Sequence, residues 1–269
     1  MSATRTLTAE ALRDASRRRV VMAIVLLSLG SLMLIDGCTT CSGGEVTING
    51  EARSIQDLGG AVGTLLIVVL GLWTCLLSGV LGTDHLQQTL EDGSASLCLA
   101  RPISRKQFAL ARLAGALSVA LIPGLVLLAA AAGLLHLRGG LPLGPAMGAG
   151  VAYVLGATTC GAIGMTLSLV MPRLASLLVV FACVGLTTIA NVAAQFDPGP
   201  GLLATIHQAG PPLAASIWTV LDPWIDAVSL AGDTEPFTGI PGAWVRLGVW
   251  TLGSIAALVW TFGRQELRS

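Results

Sequence analysis

Long uncharged apolar stretches alternate with short polar segments along the whole chain. A helix needs about 20 residues, at a rise of 1.5 Å each, to cross the hydrocarbon core of a bilayer. Most of the stretches reach that length. The pattern therefore predicts an all-α polytopic membrane protein with six transmembrane helices in one domain, residues 1–269. The predicted spans lie near residues 20–36, 58–82, 108–135, 146–171, 174–194 and 244–263.

Composition and the distribution of basic residues support this interpretation and orient the chain. Charged residues make up 11% of the sequence, and the mean hydropathy is +0.79. With six spans and a cytoplasmic N-terminus, only Arg53, Arg138 and Arg246 of the fifteen basic residues fall outside. This positive-inside bias predicts cytoplasmic termini. The multi-pass protein is expected in a cell inner membrane or plasma membrane. The expected surroundings are lipid bilayer, with no role for nucleic acid.

Two regions outside the predicted spans, residues 1–19 and 195–243, each allow two interpretations. Residues 1–19 combine a thin apolar stripe with several arginines, which suits a cytoplasmic interfacial helix or a solvated extension of the first span. Residues 195–243 hold seven of the twelve prolines, and prolines interrupt a helix. We therefore expect a re-entrant or interfacial outer segment there and not an unbroken span. Trp218, Trp224 and Trp244 suit an outer aromatic belt or the packing of this segment.

The cysteines do not form one framework. Cys75, Cys160 and Cys183 fall in predicted spans, where small packing residues are expected. Cys38 and Cys41 form a CxxC in the first outer loop, where a disulfide is one possibility in an oxidising compartment. A single CxxC is a weak zinc signal, and we predict no metal site.

Several kinds of chemistry lack the residues they need. The middle of each predicted span contains no Asp, Glu, Lys or Arg, which argues against a proton-driven carrier. The histidines lie near span ends or in the outer segment, away from a nucleophile, so we predict no catalytic residues. The chain also lacks a GxxxxGK[ST] loop, so it cannot bind and split ATP in the P-loop manner by itself.

Small residues recur every four positions along the fourth predicted span. Such a stripe lets a neighbouring helix backbone approach closely. Packing within the chain is the expected use, and a subunit interface is the alternative. The central members of the stripe are Gly148, Ala152, Gly156, Cys160 and Gly164.

The connection between the second and third spans, residues 84–107, carries the most specific pattern. Asp92 or Ser94 can cap a short helix that must end near Arg101, before Pro102. Ser104 and Gln107 fit a capping box that begins the next helix. The pattern predicts a rigid cytoplasmic elbow, although an ordinary solvated loop whose arginines fix topology is the simpler alternative.

This connection resembles the corresponding loop of ABC-2 type transporter permeases. That family shows a Glu-x-Gly-Thr/Ser stretch, a leucine pair and an Arg/Lys-Pro-Val/Ile-Ser-Arg string, followed by a basic residue leading into the third helix. The matching positions are Glu91, Gly93, Ser94, Leu97, Leu99, Arg101, Pro102, Ile103, Ser104, Arg105 and Arg112. The six-span layout and the terminal Phe262-Gly263-Arg264 are also similar.

The resemblance implies the permease subunit of an ATP-binding cassette transporter, with an exporter expected. Such a subunit is not an enzyme and needs no cofactor of its own, because ATP and Mg belong to a separate ATPase subunit. Two permease subunits are expected to pair. The elbow would seat on the ATPase, and the implied coupling residues are Glu91, Gly93, Leu97, Leu99, Arg101, Pro102, Ser104 and Arg105.

Two other classes of function stay open from the sequence. A membrane anchor or assembly subunit could use the same elbow only for docking. A membrane-embedded enzyme acting on lipid or peptide is the second alternative. No residue pattern identifies a substrate.

Overall fold

In a computed structural model, a bundle of long apolar helices forms the part of the chain that the structure describes. Four of these helices are long and apolar enough to cross a membrane, and a shorter apolar helix, Arg173–Ala182, follows the third. We number them α1, Ile55–Glu91; α2, Arg105–Leu137; α3, Leu143–Val170; α4, Arg173–Ala182; and α5, Ala243–Arg264. The described residues are 46–48, 51–53, 55–91, 104–137, 143–182, 184 and 243–264, with the helical positions Met22, Leu26, Leu29, Gly30 and Met33.

These helices coincide with most of the predicted spans. α1, α2, α3 and α5 cover the second, third, fourth and sixth, and α4 covers the start of the fifth. The isolated helical positions fall in the first predicted span. The rest of the first and fifth spans, the predicted interfacial helix 1–19 and the outer segment 195–242 lie outside the described residues. A membrane-embedded helical protein is therefore supported, while the count of six spans stays a prediction.

A short β-hairpin precedes α1, and the all-α prediction did not include it. Strands β1, Val46–Ile48, and β2, Glu51–Arg53, pair antiparallel, with Val46 opposite Arg53 and Ile48 opposite Glu51. The two residues between the strands are Asn49 and Gly50. An Asn-Gly pair suits a two-residue turn because both residues tolerate positive φ.

α1 continues well past the predicted end of the second span. The prediction ended that span near residue 82 and began the elbow at 84, but Asp84 to Glu91 extend the same helix. Thr83, Asp84, His85 and Leu86 are all buried. The Thr83 hydroxyl donates to the carbonyl of Val80 at 2.8 Å, so this polar residue is satisfied inside the helix. Polar residues here do not mark the helix end, because other helices bury and bind them.

Glycines bring α1 and α3 into backbone contact. A Cβ added to Gly82 would lie 2.5 Å from the carbonyl oxygen of Gly161, and one added to Gly164 would lie 2.5 Å from that of Gly79. Real Cβ atoms do not come this close, so the helices can cross at this distance only because glycine has no side chain. Of the predicted stripe, Ala152, Gly156, Cys160 and Gly164 are buried, whereas Gly148 is partly exposed.

Three apolar clusters lie between the described helices, the smallest formed by Leu70, Leu127 and Ala131 and the two larger ones filling the bundle. One joins α1, α2, α3 and α5 around Tyr153 and includes Cys75 and Cys160, both buried as expected for packing residues. The other lies near the Glu91 end of α1 and includes Leu81, Phe108, Met165 and Phe262. Large apolar side chains on the outside of the bundle, including Val126, Val151, Leu252 and Trp260, are exposed. Such a surface suits contact with lipid.

Candidate functional site

The end of α1, the starts of α2 and α4, and the end of α5 meet at one end of the bundle. Three contacts establish this: Asp84 of α1 pairs with Arg173 of α4, His85 of α1 contacts Arg112 of α2, and Phe108 of α2 stacks on Phe262 of α5. The turn Met171-Pro172 between α3 and α4 belongs to the same end. The predicted elbow, which connects Glu91 to Ser104, therefore starts and finishes at this end.

The ion pair between Asp84 and Arg173 brings the guanidinium close to both carboxylate oxygens, with a hydrogen bond at Oδ2. Arg173 Nε lies 2.5 Å from Asp84 Oδ1, and Nη2 donates to Oδ2 at 2.7 Å. The Asp84 side chain is 10% exposed, whereas that of Arg173 is 60% exposed. The hydrogen bond at Oδ2 joins two charged groups, which makes it stronger than a hydrogen bond between neutral groups. The pair ties the last turns of α1 to the first turn of α4.

The start of α4 is held by the turn that precedes it. The Met171 amide donates to the carbonyl of Leu167 at 2.8 Å, and the Ser176 amide donates to the carbonyl of Pro172 at 3.0 Å. Proline suits the entry to a helix because its missing N–H has no partner to lose there. Arg173 thus projects from a defined first turn toward α1.

His85 lies next to Asp84 but faces a different helix. Its Nε2 is 3.5 Å from Nη1 of Arg112 in α2, and both residues are buried. A guanidinium carries only donors, so His85 Nε2 accepts this hydrogen bond. Consecutive residues of α1 therefore bind two different helices.

Aromatic rings extend these contacts to α5. The Arg112 guanidinium lies over the ring of Phe108, 5.3 Å from its centroid, within the range of a cation–π interaction. Phe108 in turn stacks on Phe262, with centroids 5.8 Å apart and planes inclined by 21°. We call Asp84, His85, Phe108, Arg112, Arg173 and Phe262 the end cluster.

The predicted capping box is present at the start of α2. The Gln107 amide donates to Ser104 Oγ at 3.2 Å, and the Ser104 amide donates to Gln107 Oε1 at 3.3 Å. Both hydrogen bonds satisfy backbone amides that have no partner inside the helix. Arg105 and Lys106 follow at once and are exposed. The elbow therefore ends at a fixed residue and presents basic side chains on the surface of the bundle.

The predicted coupling residues are only partly among those described. Ser104 caps α2, Arg105 is exposed beside it, and Glu91 is the last residue of α1. Gly93, Leu97, Leu99, Arg101 and Pro102 lie outside the described residues, as does the proposed short helix between them. Cys38 and Cys41 also lie outside. The structure leaves the predicted coupling roles as predictions.

Sequence reasoning placed Arg112 and Arg173 at the cytoplasmic end and treated His85 as unpromising, but it did not find the end cluster. One signal was available, since two titratable residues, Asp84 and His85, sit together at the end of an apolar run. Their partners lie far along the chain, 89 residues away for Arg173 and 27 for Arg112. Local periodicity carries no information on such pairings.

The interior of the bundle contains hydroxyl groups that bind between helices. The hydroxyls of Thr74 in α1 and Tyr153 in α3 hydrogen-bond to each other. Ser78 donates to the carbonyl of Ala157 at 2.6 Å. Interhelical hydrogen bonds of this kind hold membrane helices together in the absence of a hydrophobic driving force.

A further hydroxyl pair links α3 to α5, where Thr159 and Thr251 lie 2.9 Å apart. Each hydroxyl also lies within hydrogen-bond distance of a carbonyl in its own helix, Thr159 of Leu155 at 2.8 Å and Thr251 of Leu247 at 2.7 Å. Because a hydroxyl has one proton, one of the two donates to the other and the second donates to its carbonyl. These groups bind one another and the backbone, so their arrangement favours structural packing. Within the described ranges, no group of three or more His, Cys, Asp or Glu residues is placed to hold a metal ion.

A scan against protein-family models gave no match, and a search of curated proteins gave none.

Proposed function

We propose that this chain is the membrane-spanning permease subunit of an ATP-binding cassette transporter of the ABC-2 type. A separate ATPase subunit would bind ATP and Mg and supply the energy, and two permease subunits would form the transport path. Export is the expected direction. The chain itself catalyses no reaction in this proposal.

The observation that carries the proposal is the connection between α1 and α2. Its string from Glu91 to Arg105 resembles the elbow of that family, and it lies between two long apolar helices. The structure supplies two features that an elbow transmitting force would need. Its exit is capped by Ser104 and Gln107, and its two flanking helices are joined by His85 and Arg112.

The position of the basic residues adds support. Arg105, Lys106, Arg112 and Arg173 lie at the end of the bundle from which the elbow emerges. Arg246, near the start of α5, lies at the other end, because the 22 residues of α5 span about 33 Å. This distribution agrees with a cytoplasmic elbow under the positive-inside rule. A cytoplasmic elbow is the placement that an ATPase partner would require.

A membrane anchor or assembly subunit is the second candidate. The end cluster would then serve only to hold a docking surface in place, and no movement of the spans would follow. A membrane-embedded enzyme is less well supported. The interior hydroxyls named above bind one another or backbone carbonyls, which suits packing better than nucleophilic attack.

The decisive experiment is purification of the tagged chain from its native host in lipid nanodiscs, followed by identification of bound P-loop ATPases and measurement of ATP hydrolysis. We expect a stoichiometric ATPase whose turnover is inhibited by vanadate. Leu97→Asp and Arg101→Glu are expected to release it, because truncating or reversing an interface anchor commonly weakens binding by about 2 kcal/mol or more.

Arg138→Glu is the matched control for Arg101→Glu. It makes the same change of charge in a loop that is predicted to lie outside, and removing an outer basic residue does not oppose the predicted orientation. The control is expected to retain the ATPase. Equal retention in all three variants would assign the elbow a purely topological role, and activity of the purified chain on lipid or peptide without ATP would favour the enzyme.

A further inference from the structure

Of the four long helices, α5 is the least buried. Only 28% of its span is buried, against 72% of the span of α1. Its outward face includes Leu252 and Trp260, which are 71% and 58% exposed, and the exposed small residues Ala256 and Ala257. An apolar face on a helix of this length suits the hydrocarbon of a bilayer.

The last turns of α5 present two different faces. Phe262 is buried and stacks on Phe108 of α2. Trp260 and Arg264 stand two residues before and two residues after it, which is about 200° around the helix in each direction. Both side chains therefore point away from α2, and both are exposed. Because they are four residues apart, they lie one above the other on this outer face.

Trp260 holds the charge of Arg264 on this face. The Arg264 guanidinium lies over the indole ring, 4.1 Å from its centroid, which is within the range of a cation–π interaction. An indole offers no hydrogen-bond acceptor, so the N–H donors of the guanidinium suit a second, oxygen-bearing ligand. Guanidinium groups bind phosphate oxygens with paired donors. An apolar ring and a phosphate-binding group thus stand together.

The tryptophans of α5 place this pair at a membrane boundary. Trp244 and Trp260 are separated by about 24 Å along the helix axis. The hydrocarbon core is about 30 Å thick, and tryptophan is enriched at both of its boundaries. Arg264 lies about 6 Å beyond Trp260, at the level of the lipid phosphates. The local charge is basic, because α5 contains no Asp or Glu and Arg105 and Lys106 are exposed at the same end of the bundle.

We propose that Trp260 and Arg264 bind the phosphate group of an anionic phospholipid on the elbow side of the membrane. Arg264 donates to the phosphate oxygens, and the Trp260 ring lies against the start of the acyl chains. A second copy of this chain is a poorer occupant. Two-fold packing of this face on itself would set Arg264 against Arg264, and α5 offers no acid to offset the repulsion. The inference does not depend on an ATPase partner.

Quenching by brominated lipids tests the site. A chain that keeps Trp260 and carries phenylalanine at the other five tryptophans is placed in phosphatidylcholine vesicles. Brominated phosphatidylglycerol or brominated phosphatidylcholine is added at equal mole fraction. The anionic lipid is expected to bind about fivefold more tightly, the factor for one basic residue near an anionic surface. Arg264→Gln should abolish this preference, and Arg264→Lys should keep part of it, because lysine retains the charge without the paired donors.

Trp244 provides the matched control at the other end of α5. A chain that keeps only Trp244 has Gly248 four residues further on, where the Trp260 chain has Arg264. Arg246 is near Trp244 in sequence but lies on another side of the helix, so this chain reports the general attraction of basic residues for anionic lipid. Trp244 should show little preference. Equal preference at both tryptophans would overturn the site, and so would weak quenching of Trp260 by either lipid, since protein would then cover this face.

Thermal unfolding of the chain with its native tryptophans gives an independent readout. Adding phosphatidylglycerol to phosphatidylcholine nanodiscs should raise the unfolding midpoint, because a ligand that binds only the folded state stabilises it. Arg264→Gln should lose most of this gain. Lys106→Gln, which removes a basic charge from the exposed start of α2, should keep it. A gain that Arg264→Gln leaves intact would overturn the proposal.

Discussion

The hydroxyl of Tyr153 in α3 is hydrogen-bonded to that of Thr74 in α1. The Cα of Gly124 in α2 faces this pair on the side where other residues carry their Cβ. A Cβ at Gly124 would collide with the Tyr153 hydroxyl and lie 2.8 Å from Thr74 Oγ1. Three helices therefore meet at one polar contact in the middle of an apolar bundle. Gly124 follows Pro123, a proline inside α2.

Tyr153→Phe tests the strength of this contact. We expect a loss of about 0.6 kcal/mol, and at most about 1.7, which is the range for interhelical hydrogen bonds in membranes. The loss stays modest because the Thr74 hydroxyl can turn to a carbonyl of its own helix. The measurement is a double-mutant cycle with Thr74→Val, by unfolding in mixed micelles.

Thr261→Val serves as the control for that cycle, because the Thr261 hydroxyl donates to carbonyls within α5. Its effect should add to that of Tyr153→Phe without coupling. An additive result for Tyr153 and Thr74 themselves would contradict the assignment of the hydrogen bond.

Gly82→Ala should destabilise the bundle by about 1 to 3 kcal/mol, the usual range for overpacking a close contact. The added methyl group would lie 2.5 Å from the carbonyl oxygen of Gly161, and a backbone atom cannot move aside as a flexible side chain can. Gly133→Ala is the matched control, since nothing lies within 4 Å of its added Cβ. The control should be neutral or stabilising by up to about 1 kcal/mol, because alanine favours a helix over glycine. Equal thermal stability of the two variants in detergent would contradict the close crossing.

Arg173→Gln should lower the free energy of unfolding by about 2 kcal/mol, between the values for exposed and fully buried pairs, because Asp84 stays buried while its exposed partner is lost. Adding Asp84→Asn should recover most of that loss, since no charge then remains without its partner. Lys106→Gln removes a basic charge from the exposed start of α2 and should have little effect. A double variant less stable than Arg173→Gln alone would argue against this pairing.

Impermeant thiol labelling in intact cells tests the topology. In a chain without native cysteines, Asp233→Cys should react from outside, and Ser94→Cys should react only after the membrane is permeabilised. The reason is the distribution of basic residues, which places residues 92–103 inside and 195–242 outside. Reaction of the residue at 94 from outside, or protection of the one at 233, would reverse or break the six-span arrangement.

Local pattern predicted the helices well and their partners poorly. Apolar length located α1, α2, α3 and α5, and the capping box placed the start of α2 at the correct residue. The end of α1 was predicted too early because Asp84 and His85 resemble polar residues at a span boundary. In the structure they lie inside the helix, where Arg173 and Arg112 from distant parts of the chain bind them. Periodicity is a property of one helix, so it cannot show which helix lies opposite.

The small-residue stripe illustrates the same limit. The four-residue spacing correctly drew attention to Gly164, but Gly161 lies off that stripe and is equally close to α1. The partner glycines Gly79 and Gly82 stand three residues apart, a spacing without significance until the opposing pair is known. The sequence therefore predicted a close approach and could not identify its geometry.

The crossing with α3 divides α1 into a short arm and a long arm. Gly82 lies nine residues from Glu91 and twenty-seven from Ile55, so α1 extends about 14 Å on the elbow side and about 40 Å on the other. With backbone against backbone at the crossing, no side chain can deform there to absorb a tilt. If α1 pivots at Gly82 as a stiff rod, a displacement of its Glu91 end is multiplied about threefold at Ile55. A short stroke at the Glu91 end of α1 would thus become a long one at the Ile55 end.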